Sequence, residues 1–377
     1  MSRITFENGQ VLVDGVWRDG ATLACAGGRI AAITPADGTG ESVDLRGGRL
    51  VPGLIDIQVN GGGGVLLNET PTREGIATMA RAHAGRGTTG ILPTLISGST
   101  EMIARALDAG DEAIAAGVPG CLGVHVEGPV LSRRYKGIHA EERLCALDDA
   151  MMELLLRPRQ GKVVFTIAPE YLDPEQAAAL RAAGVILSIG HSSASYETAR
   201  DAFAFGATGV THLYNAMLGL HHREPGMVGA ALENQEAWCG LIVDGHHVHP
   251  AALRIALAAR PLDRFMLVSD AMPCVGMDSD HFMLDGRRIT VAGGRCIDDA
   301  GTLAGASLDL AQAVQNSVEM VGLPIETALA MASANPAAFL GMGDRRGRLA
   351  NGFAADLTWL GRDGAPHGAW IAGERIA

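Results

Sequence analysis

Two hydrophobic patterns divide the chain into a middle and two similar ends. Roughly the first fifty residues and the last thirty alternate polar and apolar positions between turn signals such as Asp14-Gly15 and Asp19-Gly20. A period of two is typical of short β-strands. Because neither end has enough strands for a sheet of its own, we predict that residues 1–53 and 345–377 pair into one small β-sandwich domain.

The middle, residues 54–344, repeats a unit of apolar run, loop and amphipathic segment. The apolar runs predict eight strands, at 54–59, 90–95, 121–126, 163–168, 185–189, 208–211, 241–243 and 265–268. The intervening segments predict helices at 73–86, 101–116, 174–183, 195–205, 250–259, 307–321 and 325–340. Eight strands alternating with helices over about 290 residues fit an α/β fold of the (β/α)8 TIM-like barrel type.

A doubly wound open sheet would show the same alternation of strands and helices. It would be favoured by a glycine-rich phosphate-binding motif after the first strand, of the G-x-G-x-x-G or G-K-[ST] kind. The glycine cluster at 61–64 has neither the spacing nor the lysine. We therefore expect the closed barrel.

Composition narrows the function classes. Of 377 residues, 47% are hydrophobic and 19% are charged, which excludes wholesale disorder. The 30 basic and 42 acidic residues give a net charge of −12, which argues against a nucleic-acid partner. An anionic small substrate is still compatible, since a few arginines can make one cleft locally positive. The 50 glycines suit a fold with many tight strand-to-helix turns.

Cysteine usage and the chain start indicate the cytoplasm. The six cysteines contain no C-x-x-C pair, so a zinc knuckle, a dithiol redox site and a secreted disulfide framework are all disfavoured. The polar start MSRITFENGQ lacks the apolar core of a signal peptide. No apolar run approaches the ~18 residues that cross a bilayer, so we expect no membrane partner.

Four polar side chains stand where predicted strands end: Glu127, His191, His212 and Asp270. In a barrel, the carboxyl ends of the strands converge on one rim, where active sites are built. One carboxylate and two imidazoles form a three-ligand set that leaves a coordination position open, as in catalytic zinc sites. Asp270, on a further strand, could then serve as a base.

Nine motifs carry a resemblance to a known family: PGLIDIQVNGGGG, HVEGP, KGIHA, SIGHSSAS, THLYNAM, REPGMVG, DGHHVH, LVSDAMP and GTLAGA. In this order they span residue 52 to about 310, and they resemble the N-acetylglucosamine-6-phosphate deacetylases of the amidohydrolase superfamily. The resemblance implies a (β/α)8 barrel with a small β-sandwich built from both termini. It also implies a homodimer that hydrolyses the acetamide of its phosphosugar substrate to D-glucosamine 6-phosphate and acetate.

The resemblance also assigns catalytic roles. Glu127, His191 and His212 match the family's metal ligands, and Asp270 matches its catalytic acid and base. His139, in KGIHA, matches the residue that polarises the substrate carbonyl. A divalent ion lowers the pKa of bound water from 15.7 towards ~7, and a carboxyl group with a reference pKa of ~3.9 is ionised and can take the proton.

The sequence favours a single metal ion over a pair. Where many amidohydrolases have H-x-H after the first strand, this chain has Gln58-x-Asn60, and an amide is a weaker ligand than an imidazole. Neither lysine, Lys136 or Lys162, stands at a strand's carboxyl end, where a carbamylated bridging lysine would be required. We expect one divalent ion, zinc (Zn²⁺) first, with Fe²⁺, Mn²⁺ and Co²⁺ as alternatives. Gln58 and Asn60 are interpreted as packing or substrate-facing amides.

The resemblance further supplies a phosphate and substrate pocket. Arg223 and His247 match the family's phosphate-binding pair, which is often completed across the dimer interface. Arginine suits this task because its planar fork can hold phosphate oxygens bidentately. The remaining substrate-binding positions that match are Ile138, Asn215, Ala216, Leu303, Ala304 and Gly305.

Several alternatives stay open in the sequence. The substrate could be N-acetylgalactosamine 6-phosphate or another N-acyl amide, and a non-catalytic amidohydrolase-like scaffold is the option from another class. The segment 271–282 predicts a mobile covering loop, in which Cys274 either lines the site or is an inert buried thiol. No role follows for Arg133, Arg134 or Tyr135. The extra histidines His246 and His249 are interpreted as incidental.

Overall fold

Strands occupy both ends of the chain and alternate with helices in the middle. The structure, a computed structural model, describes residues 2–377. In chain order the strands are β1 (Ser2–Val13), β2 (Val16–Ala26), β3 (Arg29–Thr34), β4 (Glu41–Asp44), β5 (Arg49–Pro52), β6 (Leu54–Val59), β7 (Gly61–Gly62), β8 (Val65–Leu66), β9 (Thr88–Ile96), β10 (Gly123–Glu127), β11 (Lys162–Ile167), β12 (Val185–Ile189), β13 (Gly209–Val210), β14 (Trp238–Leu241), β15 (Phe265–Leu267), β16 (His281–Leu284), β17 (Arg287–Ala292), β18 (Arg295–Ile297), β19 (Leu303–Ala306), β20 (Leu357–Leu360), β21 (Pro366–Ile371) and β22 (Glu374–Arg375).

The helices mostly begin after a residue whose side chain caps the first turn. They are α1 (Arg73–Ala84), α2 (Thr100–Ala115), α3 (Asp149–Leu155), α4 (Pro174–Ala182), α5 (Tyr196–Phe205), α6 (Gly226–Glu233), α7 (Pro250–Ala259), α8 (Leu310–Asn316), α9 (Ile325–Met331) and α10 (Ala334–Phe339). Thr72, Ser99 and Ser195 each accept a hydrogen bond from a backbone N–H in the first turn of α1, α2 and α5. Among residues 2–377 no helix is both long and apolar enough to span a bilayer.

The predicted helices differ from the observed ones in four places. The prediction omitted α3 and α6. The segment 307–321 is α8 followed by a π-helical turn, Ser317–Val321. The single predicted helix 325–340 is two helices, and Pro336 lies in the first turn of α10. Proline lacks the N–H that a continuous helix would need there, but it is tolerated in a first turn.

Eight parallel strands form the barrel. Their order is β6-β9-β10-β11-β12-β13-β14-β15, and each of them overlaps one of the eight predicted strand segments. The two edges meet through a parallel bridge between Val59 and Ala271 and a 3.0 Å hydrogen bond from Asp270 N to Gln58 O. Every residue of β6 and β9 is buried, as in parallel sheets covered by helices. The predicted fold class is confirmed.

A second eight-stranded sheet joins the two ends of the chain. Its path is β22-β21-β20-β5-β1-β2-β3, with β4 paired to β1. The antiparallel pair of β5 and β20, with Leu50 opposite Trp359, connects the N-terminal strands to the C-terminal ones. Phe6 and Trp370 meet edge to face at 5.3 Å in its core. The pairing of the ends is thus observed, whereas the exact domain boundaries stay a prediction.

A small antiparallel sheet, β16-β17-β18-β19, was not predicted. The covering loop expected over 271–282 is shorter than predicted, because His281 and Phe282 already belong to β16. The hairpin signals Asp285-Gly286 and Gly293-Gly294 were present in the sequence and mark the turns between these strands. This sheet reaches the barrel rim through β19, since Ala306 N donates a 2.8 Å hydrogen bond to Asp270 O.

Candidate active site and metal centre

The four predicted chemical groups lie together at the carboxyl rim of the barrel. Glu127 is the last residue of β10, and the other three follow β12, β13 and β15 within three residues. His191, His212 and Asp270 all have positive φ, at 47°, 31° and 51°. Non-glycine residues in this region cost about 1–3 kcal/mol each and are typical of functional sites. The surrounding fold therefore holds these side chains in positions that the local sequence disfavours.

The Glu127, His191 and His212 side chains converge on one point. Glu127 Oε1 lies 3.1 Å from His191 Nε2 and 3.0 Å from His212 Nε2, and the two Nε2 atoms are 3.0 Å apart. All three residues are buried. Ligands at about 2.0–2.2 Å from a zinc-like ion stand about 3.0–3.6 Å from one another. The three atoms therefore fit a divalent cation.

The ring orientation of His191 suits a metal ligand. Its Nδ1 donates a 3.0 Å hydrogen bond to the Tyr135 carbonyl, so its Nε2 carries the lone pair when the ring is neutral. A second combination, Glu127, His139 and His191, also offers ligand atoms within 4.8 Å of one another. That spacing is looser than the 3.1 Å of the set with His212. His139 Nδ1 is also hydrogen-bonded to Ser97 Oγ at 2.7 Å, so His139 fits better as a neighbour of the centre.

The two amides after the first barrel strand hold the carboxylates. Gln58 Nε2 donates to both oxygens of Glu127 at 3.1 Å and to Asp270 Oδ1 at 3.3 Å. Asn60 Nδ2 donates to Asp270 Oδ1 at 2.7 Å. The amide N–H groups, rather than imidazole lone pairs, therefore face the carboxylates at these positions.

Burial and hydrogen bonding move the pKa values of the site apart. Burial raises the pKa of Asp270 to about 6, and the Glu127 charge adds to this shift. Burial also raises the pKa of Glu127, but the His191 and His212 hydrogen bonds outweigh it and hold that pKa well below its usual value. Burial lowers the pKa of His139 to about 3. At neutral pH the site thus holds two carboxylates beside a neutral His139.

A cavity of about 440 Å³ opens over this cluster. Its lining includes seven of the predicted substrate residues: Ile138, His139, Asn215, Ala216, His247, Leu303 and Gly305. Gly305 has φ of +60°, and a Cβ there would lie 2.7 Å from the Asp270 carbonyl oxygen. Glycine at this position therefore allows β19 to approach Asp270 and form one wall of the cavity.

Three predicted substrate residues do not line the cavity. Gln58 lies beneath the carboxylates, and Ala304 is fully buried behind the wall. Arg223 is exposed on the segment between β13 and α6. The roles of all the predicted site residues stay predictions.

His247, His249 and Cys274 have local contacts that explain their positions. His247 Nδ1 donates to Asp244 Oδ2 at 2.6 Å, and within residues 2–377 its Nε2 has no hydrogen-bond partner. His249 Nδ1 accepts from Ala251 N and caps α7. Cys274 is buried, does not line the cavity, and faces Cys296 with 3.7 Å between the sulfur atoms.

The sequence reasoning missed two residues of the loop between Glu127 and His139. Tyr135 lines the cavity and orients His191 with its carbonyl oxygen. Arg134 lines the cavity as well. A backbone carbonyl leaves no signal in the sequence. The sequence shows that position 134 is an arginine, but it does not show that this side chain faces the cavity.

Comparison with known proteins identifies the class. The amidohydrolase family model matches residues 49–376, so the chain belongs to the amidohydrolase family. It is 42% identical over 332 residues to the N-acetylgalactosamine-6-phosphate deacetylase of Shewanella sp. (strain ANA-3), covering 88% of this chain and 84% of the relative. It is 37% identical to the Escherichia coli O157:H7 protein of the same name, covering 97% of each.

The solved structures agree. The crystal structure of N-acetylglucosamine-6-phosphate deacetylase from Pasteurella multocida superposes with a TM-score of 0.93 at 32% identity, over 99% of both chains. The family resemblance inferred from the motifs is therefore confirmed, and so is the prediction that this chain is an enzyme, a hydrolase of the amidohydrolase family.

Proposed function

We propose that this chain hydrolyses the acetamide of N-acetyl-D-glucosamine 6-phosphate to D-glucosamine 6-phosphate and acetate. The observation that carries the proposal is the cluster of Glu127, His191 and His212, buried and within 3.1 Å of one another, beside the half-buried Asp270. Its place in a 440 Å³ cavity leaves room for a phosphosugar. The family of the chain supports hydrolysis of an amide bond.

One divalent cation, with zinc as first choice, is the proposed cofactor, held by Glu127, His191 and His212. When bound, it would polarise the substrate carbonyl and lower the pKa of a water molecule towards neutrality. Gln58 and Asn60 support a single ion, because their amide N–H groups already donate to Glu127 and Asp270.

Asp270 is the proposed proton carrier. Its Oδ1 accepts from Asn60 and Gln58, whereas its Oδ2 has no hydrogen-bond partner within residues 2–377. Oδ2 can therefore take a proton from the attacking water as the new C–O bond forms. It returns that proton to the sugar nitrogen as the C–N bond breaks. A pKa near the working pH suits both transfers.

His139 is proposed to stabilise the substrate carbonyl. If the Ser97 hydroxyl donates to Nδ1, the neutral ring carries its proton on Nε2 and can donate it into the cavity. The low pKa of His139 keeps this ring neutral. Negative charge that develops on the carbonyl oxygen would then meet a buried, oriented donor.

For the phosphate, we propose that His247 and the backbone of Asn215 and Ala216 contribute within the subunit. The exposed Arg223 would complete the site of a neighbouring subunit in a homodimer. Sedimentation and activity should then change together when protein is diluted below the dimer dissociation constant. Full activity of a monomer would contradict the shared site.

N-acetylgalactosamine 6-phosphate is the second candidate substrate. The names of the Shewanella and Escherichia coli relatives favour it. The two sugars differ only at the C4 hydroxyl, and none of the contacts described above selects between them. Steady-state kcat/KM on the two 6-phosphates decides the preference.

The test of the proposal is acetate release by metal-loaded protein from both 6-phosphates and from unphosphorylated N-acetylglucosamine. We expect turnover of the phosphorylated sugars to be much faster. Equal rates on the phosphorylated and the unphosphorylated sugar would contradict the proposed phosphate pocket. Absence of turnover on every acetamido sugar would favour the non-catalytic scaffold.

A further inference from the structure

We propose that Arg134 binds the substrate phosphate from within the same subunit and sets the preference for phosphorylated sugars. The proposal rests on the proposed function and deepens it. Arg134 is not one of the phosphate-binding residues suggested by the motifs, which were Arg223 and His247. It is identified here by its position, its charge and its lack of a protein partner.

The turn that carries Arg134 is fastened to a proposed metal ligand. Arg134 is the middle residue of a 3-10 turn, Arg133–Tyr135. Ser132 N, just before the turn, donates to the His191 carbonyl at 2.9 Å, and the Tyr135 carbonyl accepts from His191 Nδ1 at 3.0 Å. Two hydrogen bonds to one residue fix the base of the Arg134 side chain relative to the reaction centre.

Arg134 is the single arginine or lysine among the residues that line the cavity. The other formally charged lining groups are the carboxylates Glu127 and Asp270. The chain as a whole carries a net charge of −12. A phosphate dianion that enters this cavity therefore needs a local cation, and within one subunit this guanidinium is the one available.

The Arg134 guanidinium is also uncommitted. Within residues 2–377 it makes no salt bridge or hydrogen bond, and its Cζ lies 5.7 Å from the centre of the Tyr135 ring. The adjacent Arg133, by contrast, pairs with Glu141 at 2.9 Å and does not line the cavity. Lys136, two positions further on, donates to the His139 carbonyl. A free planar fork at the cavity can bind phosphate oxygens bidentately without breaking a protein contact.

The experiment compares Arg134→Gln with the matched control Arg133→Gln. For the R134Q variant, we expect KM for the 6-phosphate substrate to rise about 10- to 100-fold, the range for loss of a charge-assisted contact, with kcat changed much less. The decrease in kcat/KM for the unphosphorylated sugar should be at least about tenfold smaller than the decrease for the 6-phosphate. Inhibition by inorganic phosphate should weaken in the same proportion as KM rises. Arg133→Gln should leave these values near wild type.

The outcomes separate this inference from the proposed function. If the wild type prefers phosphorylated sugars and R134Q keeps that preference, the role of Arg134 is wrong while the proposed function stands. Equal losses on both sugars would likewise overturn it, because they would indicate a general effect on the site. If the wild type releases no acetate at all, the proposed function fails first. An Arg134→Lys variant that recovers part of the KM would support charge recognition.

Discussion

At the scale of single residues, the proposed chemistry depends on a difference in pKa between two carboxyl groups, Glu127 and Asp270. Glu127 is buried and Asp270 is half-buried in the same cluster, yet their pKa values move in opposite directions. Glu127 has two imidazoles within 3.1 Å, whereas Asp270 has only amide donors. The first carboxylate is therefore suited to hold a cation and the second to carry a proton.

Asp270→Asn tests the proton carrier. The substitution keeps the shape of the side chain but cannot accept the proton, so we expect kcat to fall by about 10²–10⁴-fold. Metal content and the thermal unfolding midpoint should stay near wild type. Near-normal turnover in a metal-loaded variant would show that another group moves the proton.

The pH dependence of kcat/KM follows from the same residue. Because Asp270 must be ionised to act as a base, activity should rise with pH through its pKa, which burial raises to about 6. A bound cation lowers that pKa, so the midpoint of the acidic limb should lie at or below about pH 6. Asn60→Ala removes a hydrogen bond that lowers the pKa of Asp270, and should move the limb to higher pH. If the acidic limb of the Asn60→Ala profile stays at the wild-type pH, a group other than Asp270 is responsible for that limb.

His139→Asn tests the carbonyl donor. One oriented donor of this kind contributes about 10²–10³-fold to turnover. We expect a loss of that size in kcat, with metal content retained because Glu127, His191 and His212 are unchanged. Loss of the metal in this variant would instead support the wider ligand set that includes His139.

At the scale of elements, buried histidines connect the strands below the site. His125, two residues before Glu127 on β10, contacts Thr166 Oγ1 on β11 at 2.8 Å and the Ile57 carbonyl on β6 at 3.1 Å. His83, on α1, contacts the Gly61 carbonyl at 2.9 Å. Burial lowers the pKa of each ring to about 4, so both remain neutral at pH 7. Polar side chains here join the elements that position the site.

His83 makes the fold sensitive to acid. The pKa of the ring is about 4 in the folded chain and ~6.5 in the unfolded chain, so the unfolded state binds the extra proton between these values. Stability is therefore complete above pH ~6.5 and is lost as the pH falls. A drop from pH 7 to pH 5 should remove about 2 kcal/mol through this group. Urea unfolding at both pH values measures the loss.

His83→Gln should reduce that pH-dependent loss, because glutamine does not titrate. The exposed His222 offers a control, and His222→Gln should keep the wild-type dependence. Identical pH slopes in the H83Q variant and the wild type would contradict the assignment.

At the scale of the whole molecule, the candidate cation site joins parts of the barrel that are distant in the chain. Its ligands come from β10 and from the loops after β12 and β13, so 85 positions separate Glu127 from His212. A bound ion would cross-link these three strands and favour the folded state by mass action. The terminal sheet and the small sheet β16–β19 supply none of these three ligands.

Metal removal should therefore lower the thermal unfolding midpoint of the whole chain. Dialysis against a chelator is expected to reduce the midpoint and abolish activity, and readdition of Zn²⁺ should restore both. In the Glu127→Gln variant, the chelated and the metal-treated protein should have nearly the same thermal unfolding midpoint. A midpoint that does not respond to chelation, in protein shown to contain metal, would place the ion elsewhere.

The sequence by itself determined the barrel and the principal chemical groups. Apolar strand segments and helix caps are local patterns that can be read from the sequence. Because the carboxyl ends of the strands lie on one rim in any (β/α)8 barrel, the four side chains that follow strands could also be found without coordinates. They are Glu127, His191, His212 and Asp270. Helix breaks were harder to predict, as at Pro336, because a proline is compatible with either a loop or a first helical turn.

Tertiary structure decided the contacts that depend on distant residues. The Tyr135 carbonyl that orients His191, the positive φ at three site residues and the free Arg134 guanidinium beside a paired Arg133 depend on neighbours far away in the chain. A charged side chain has the same letter whether it is paired or free. Which arginine faces the cavity is set by how the folded loops meet, and that information is absent from local patterns.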